Sequence, residues 1–89
     1  MLCDVAFKKL ITSKRLFRGE LFVVKYGNVF TTISIESTNF ACDRIKISFV
    51  EQIDSLKVGD KLSFIRRADG ENGTRVWVCF GEGEILGIF

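Results

Sequence analysis

The stretch FVVKYGNVFTTISI, residues 22–35, holds the side chains whose types and spacing best suit a chemical role. Apolar residues alternate on both sides of Gly27-Asn28, which is typical of two strands joined by a tight turn. A two-residue loop that begins with glycine suits a type II′ turn, and it pairs Lys25 with Phe30. Both side chains then lie on the face opposite the core. An aromatic ring beside an ammonium group can stack on a nucleobase while the cation meets a phosphate.

A second aromatic residue falls among cations further along the chain. In RVWVCF, residues 75–80, alternation points Val76, Val78 and Phe80 inward and Arg75, Trp77 and Cys79 outward. In KLSFIRR it points Leu62 and Phe64 inward and Lys61, Ser63, Ile65 and Arg67 outward. Trp77 with Arg75 and Arg67 therefore forms a second aromatic and basic group, and Arg44 and Lys46 extend the positive side.

The same residues also have a purely structural interpretation. Phe30 and Trp77 could pack against the N-terminal segment, the last apolar segment ILGIF or another subunit. Lysine and arginine on outer strand positions ordinarily protect sheet edges from pairing with other chains, which alone accounts for Lys46, Lys61 and Arg67.

Length and composition favour a binding protein. The chain has 89 residues, which predicts a single domain over 1–89, and it carries nine Phe, one Trp and one Tyr. A domain of this size has too little interior to cover so many large rings, so some must lie in an interface. We therefore expect a homo-oligomer, dimeric or higher, or a ligand-binding surface.

The residue types that are missing argue against catalysis. Histidine is absent, which removes the usual general base and the commonest metal ligand. Cys3, Cys42 and Cys79 share no metal-binding or disulfide spacing, which favours a reduced, cytoplasmic protein. No glycine-rich phosphate loop is present. The sequence predicts no enzyme, no metal, no cofactor, no signal peptide and no membrane span.

Basic residues concentrate near the N-terminus although the net charge is only +2. Between Val5 and Ile35 the single acid is Glu20, whereas the segment from Val76 to Phe89 has acids and no base. A basic third of a small domain can attract phosphates. The bases of the first segment are Lys8, Lys9, Lys14, Arg15, Arg18 and Lys25.

The order of elements predicts a mainly β fold. Asp4 can cap a short N-terminal helix with Ala6, Phe7, Leu10 and Ile11 on one face, although the same run also fits a strand. Five or six strands follow at turn signals, with a turn at Gly81–Glu84 before a last strand at ILGIF. Strands this close, without helical crossovers, pair antiparallel. We predict a small closed or partly open antiparallel barrel.

The segment SLKVGDKLSFIRR, followed after a loop by RVWVCFGEGEILGI, resembles the second half of an OB-fold domain. The resemblance covers about residues 16–86, and an SH3-like barrel is the alternative. It implies that ligand binds on the second and third strands of the meander and on two loops, at 27–28 and 69–74. The implied contacts, combined with the aromatic and basic groups, are Lys25, Phe30, Thr32, Arg44, Lys46, Arg67, Arg75 and Trp77.

Two functions follow from these features. The first is non-catalytic binding of nucleic acid, single-stranded in preference, through the basic and aromatic face. The second is protein interaction or assembly, in which Phe30, Trp77, Ile65 and the last strand form an interface.

Overall fold

The computed structural model describes residues 1–10 and 16–89, and these form a closed antiparallel barrel of six strands. Around the barrel the order is β1-β4-β3-β2-β5-β6, and β6 pairs back with β1. This confirms the mainly β barrel that the sequence predicts. The strands are β1 (Leu2–Leu10), β2 (Leu21–Tyr26), β3 (Val29–Asn39), β4 (Arg44–Phe49), β5 (Lys61–Asp69) and β6 (Arg75–Ile88).

The N-terminal helix prediction is wrong, because residues 2–10 form β1. This strand lies between β4 and β6 and pairs antiparallel with both, so its backbone groups find partners on two sides. Cys3 and Val5 alternate into the core and are fully buried. Ile11, Lys14 and Arg15, which the sequence placed in the helix or the basic segment, lie outside the described residues. Across the described residues, no helix has the length and apolar character to cross a membrane.

The hairpin of β2 and β3 has the predicted register. Tyr26 pairs with Val29, Lys25 with Phe30 and Val23 with Thr32. Gly27 has φ +55° whereas Asn28 does not have a positive φ, as a type II′ turn requires. Since side chains alternate along a strand, this register fixes which residues face outward.

The barrel interior is filled by aliphatic side chains and a row of phenylalanine rings. Phe64 is fully buried, and its ring centroid lies 5.2 Å from that of Phe7 and 6.1 Å from that of Phe80. As predicted, β4 turns one face inward and β5 contributes Leu62. The fully buried aliphatic residues include Val24, Ile33, Ile35, Ile47 and Ile85.

The predicted turn at residues 81–84 is absent, because β6 runs unbroken through these glycines. Gly83 faces the interior at a point where a Cβ atom would stand 2.6 Å from Val5 Cγ1 and 3.3 Å from the Phe64 ring. Glycine is used here for close approach of strands and not for a turn. Six strands agree with the predicted five or six, but the set differs, because residues 2–10 form a strand and ILGIF continues β6.

Residues 66–78 form a two-stranded extension of the barrel, which we call the arm. Within residues 1–10 and 16–89, β2 pairs with β5 only as far as Ile65, and β1 pairs with β6 only as far as Gly81. Arg66–Asp69 and Arg75–Val78 pair with each other alone among the described residues. The prediction that Val76 and Val78 face the core is therefore wrong, since both are exposed.

Ile65 lies at the base of the arm, and here the sequence predicted an outward residue for an interface whereas the structure shows a buried one. It pairs with Val23 on the outer side of the barrel but is only 7% exposed. A β-bulge between Phe64 and Ile65 shifts the register against β6 at this point. Ile65 is therefore not available for the interface that the second sequence hypothesis gave it.

Candidate nucleic-acid interface

The first element of the candidate site is the pair Lys25 and Phe30, which we call the tip pair because it lies next to the β2–β3 turn. The Lys25 ammonium nitrogen is 5.7 Å from the centroid of the Phe30 ring, within range of a cation–π interaction. Phe30 is 59% exposed. Its ring is not sealed within the subunit and remains available for contact with another molecule.

The second element is the pair Arg67 and Trp77, which we call the arm pair. These residues are cross-strand partners on β5 and β6, and the guanidinium carbon lies 5.0 Å from the ring centroid. Trp77 is 51% exposed. The sequence predicted both residues on one outward face, and the structure brings them into contact. Arg75 follows on the same face, where its cross-strand partner is Asp69.

The tip pair and the arm pair belong to one continuous outer face. Ser63 on β5 is the partner of Lys25, and Ile65 is the partner of Val23. Arg67 stands two residues after Ile65, so it points to the same side of the sheet. Ser63, beside Lys25, and Arg67 are four residues apart on β5, which is roughly 13 Å of strand. One row of less exposed side chains, which includes Val23 and Thr32, lies between them.

Arg44 and Lys46 form a separate part of the predicted site. Both are exposed on the outer face of β4, since Ile45 and Ile47 between and beside them are buried. Lys46 is the partner of Ser37 on β3, seven residues from Phe30, which corresponds to roughly 20 Å of strand. These two bases therefore do not contact the same ligand group as the tip pair.

A third aromatic and basic pair was missed by the sequence analysis. The Lys46 ammonium nitrogen lies 5.9 Å from the centroid of the Phe89 ring. Phe89 directly follows β6, and its N–H donates to the Leu2 carbonyl at 2.8 Å. No local signal links residues 46 and 89, because their contact requires β1 to lie between β4 and β6. We call Lys46 and Phe89 the β4 pair.

The three cations of these pairs are not neutralised within the part of the chain that the structure describes. Lys25, Lys46 and Arg67 form no ion pair with a carboxylate there, whereas Lys8 pairs with Glu84 at 3.4 Å. Acids are nevertheless close in register: Asp4 is the β1 partner of Lys46. Lys46 is therefore beside an acidic residue in the sheet, although the two form no ion pair in the described part of the chain.

The described residues contain no cluster of cysteine and acidic side chains that could hold a metal ion. Cys3 is buried, and this burial raises the pKa of its thiol, with the Asp4 charge acting in the same direction and the N-terminal ammonium opposing it. Its sulfur therefore stays protonated and behaves as a small core residue.

Comparison with known proteins does not assign a family. No protein-family model matches the chain, and no curated protein shows significant similarity to it.

Proposed function

We propose that this protein is an OB-like β-barrel that binds single-stranded nucleic acid without catalysis. The observation that carries the proposal is the repeated outward pairing of an exposed aromatic ring with a cation, in the tip pair and the arm pair. Rings stack on bases of any sequence, and the neighbouring cations attract the phosphates.

The topology supports an OB-like barrel. β2, β3 and β4 form a meander, and β5 returns to pair with β2, giving the spatial order β5-β2-β3-β4. Three consecutive strands with the fourth beside the first define a Greek key, which is the architecture of the OB-fold. Counted from β2, the ligand face of an OB-fold corresponds to β3 and β4, with the turn at 27–28 and the loop at 69–74 beside it. β1, between β4 and β6, is an addition to this arrangement.

Trp77 is the only tryptophan of the chain and provides a direct test. We expect its fluorescence to be quenched when an oligo-dT is added at low salt. If about three phosphates are neutralised, raising salt from about 50 to 200 mM should weaken binding roughly tenfold or more. Unchanged fluorescence together with unchanged anisotropy of a labelled oligo-dT at low salt would refute the proposal.

Substitutions of Phe30 separate stacking from general apolar contact. Phe30→Ala and Phe30→Leu both remove the ring, so both should weaken binding, roughly 5- to 150-fold for one stacked base. Val58→Ala, which trims an exposed apolar side chain on the loop between β4 and β5, is the control and should bind like the parent protein. Equal binding by Phe30→Leu and the parent would show that stacking on this ring does not occur.

A second role, self-assembly through the arm, is favoured by a different observation. The face of the arm opposite Trp77 carries Arg66, Ala68, Val76 and Val78, and Val76 is 46% exposed. A two-stranded ribbon alone is marginally stable, so covering this face would stabilise it. We propose a second copy of the chain as the partner, because two identical arms can pair about a two-fold axis.

Sedimentation at increasing protein concentration tests the assembly. The parent protein should pass from monomer to dimer, and the double variant Val76→Thr, Val78→Thr should remain monomeric at the same concentrations. A parent protein that stays monomeric, or a double variant that dimerises equally well, would contradict the second role.

A further inference from the structure

We infer that Phe89 and Lys46, the β4 pair, form an additional stacking and phosphate site that extends the bound strand along β3 and β4. This inference rests on the proposed function, and it assigns a role to Phe89 that the tip and arm pairs do not require. The proposed occupant is the part of a longer single strand that runs past the tip pair.

The placement of Phe89 leaves its ring open. A Cβ atom at residue 87 would lie 3.4 Å from the nearest atom of the Phe89 ring, so the ring rests beside Gly87 where no side chain intervenes. Gly87 is the partner of Asp4, and Asp4 is the partner of Lys46. The ring thus lies on the outer side of β1 toward β4, and it is 71% exposed.

The described part of the chain carries three pairs of an aromatic ring and a cation, and this repetition argues that the pairs share one function. The described residues of this 89-residue chain contain three, and all three rings are at least half exposed. A single exposed ring needs no explanation. Three exposed rings, each beside a cation, lie on the barrel and its arm, and repeated contact with an anionic, aromatic polymer would use such pairs.

The surface between the tip pair and the β4 pair suits a nucleic-acid strand. Thr32 and Ser34 follow Phe30 on the outer side of β3, and Ser48 is the partner of Ser34 on β4. These three side chains are short, and their hydroxyl groups can donate to phosphate oxygens. These short side chains leave space for a nucleic-acid strand between the larger aromatic rings of the tip pair and the β4 pair.

Around the β4 pair the positive charge of the basic residues is partly offset by nearby acidic residues. Arg44 and Lys46 lie in a shallow groove with Asp4 and Ser37. Glu36 lies beside the groove at the bulge of β3. The β4 pair should therefore bind more weakly than the other two pairs and should matter only for a strand long enough to reach it.

A length series tests this inference apart from the proposed function. Labelled oligo-dT of about 4 and about 16 nucleotides, spanning the site sizes of single OB folds, is titrated into the parent protein and into Phe89→Ala. We expect Phe89→Ala to weaken binding of the longer strand roughly fivefold or more and to leave the shorter strand unaffected. Lys46→Gln should lower the salt dependence of binding for the longer strand only.

Each outcome has a distinct meaning. If the parent protein binds neither strand, the proposed function itself fails. If it binds both and Phe89→Ala matches it at both lengths, this inference alone fails. Equal weakening at both lengths would also overturn the inference, because the ring would then act on the primary site or on the fold. Phe89→Leu keeps the apolar volume without the ring and should behave like Phe89→Ala if stacking is the mechanism.

Discussion

The same two strands behave differently inside and outside the barrel. In the barrel, Leu62 and Phe64 of β5 alternate into a closed interior and are almost fully buried. In the arm, Val76 and Val78 of β6 show the same alternation, yet both remain exposed. The difference is the number of neighbouring strands with which each portion pairs. The barrel portion of each strand pairs on two sides, whereas among the described residues the arm portions pair only with each other.

Alternation along a strand shows which side chains share a face, but it does not show whether that face is buried. The period of two determines which residues share a face of a strand. Burial also requires a second layer to cover that face, which the arm lacks among the described residues. The arm is thus free to carry contacts for another molecule, because its side chains contribute little to the core.

The largest expected difference comes from removing one aromatic ring from each region. Phe64→Ala removes a fully buried ring and should lower the free energy of unfolding by about 3–5 kcal/mol. Trp77→Ala removes a half-exposed ring from the arm and one cross-strand contact, and should lower it by about 1 kcal/mol or less. Urea unfolding followed by circular dichroism measures both.

The stability of Trp77→Ala relative to Phe64→Ala can contradict this comparison of barrel and arm. A loss of about 2 kcal/mol or more in Trp77→Ala would mean that the arm packs as part of the core. The arm would then not be an exposed surface of the folded protein. The nucleic-acid and assembly proposals would lose the surface that both of them use.

A smaller effect is expected from two glycines of β6. Gly83→Ala places a methyl group 2.6 Å from Val5 Cγ1 and 3.2 Å from the Ala6 carbonyl oxygen, so the closely packed barrel must shift. Overpacking of this kind should cost about 1–3 kcal/mol. Gly87→Ala is the matched control, because its nearest neighbour lies at 3.4 Å and the site is at the surface. Thermal unfolding that ranks Gly87→Ala as the more damaging change would contradict this account of barrel closure.

Local patterns predicted β2 to β5, the first part of β6 and the tip pair, and long-range contacts explain what they missed. Lys25 and Phe30 are five residues apart and joined by one turn, so their contact follows from the turn type. The contact of Lys46 with Phe89 depends on β1 lying between β4 and β6, which no local rule specifies. β1 itself was ambiguous for the same reason, since only its two neighbouring strands decide against a helix.

The glycines at 81 and 83 show a related limit. Glycine next to acidic residues is typical of a turn, and the sequence predicted one. The structure uses Gly83 to let Val5 and Phe64 approach, which is a demand of the closed barrel and not of the local chain. The misassigned turn and the missed strand β1 are linked, because β6 has to continue through these glycines in order to pair with β1.

The smallest expected effect compares adjacent threonines on opposite sides of the barrel wall. Thr31 faces inward, and its buried hydroxyl has no hydrogen-bond partner among the described residues. Thr31→Val keeps the shape and removes the polar group, so it should raise the free energy of unfolding by about 1 kcal/mol. Thr32→Val acts on the outer side, where the hydroxyl is hydrated, and should change stability little while weakening oligo-dT binding slightly. Urea unfolding of both variants checks the prediction, and a loss of stability in Thr31→Val would show that its hydroxyl makes a favourable interaction inside the barrel.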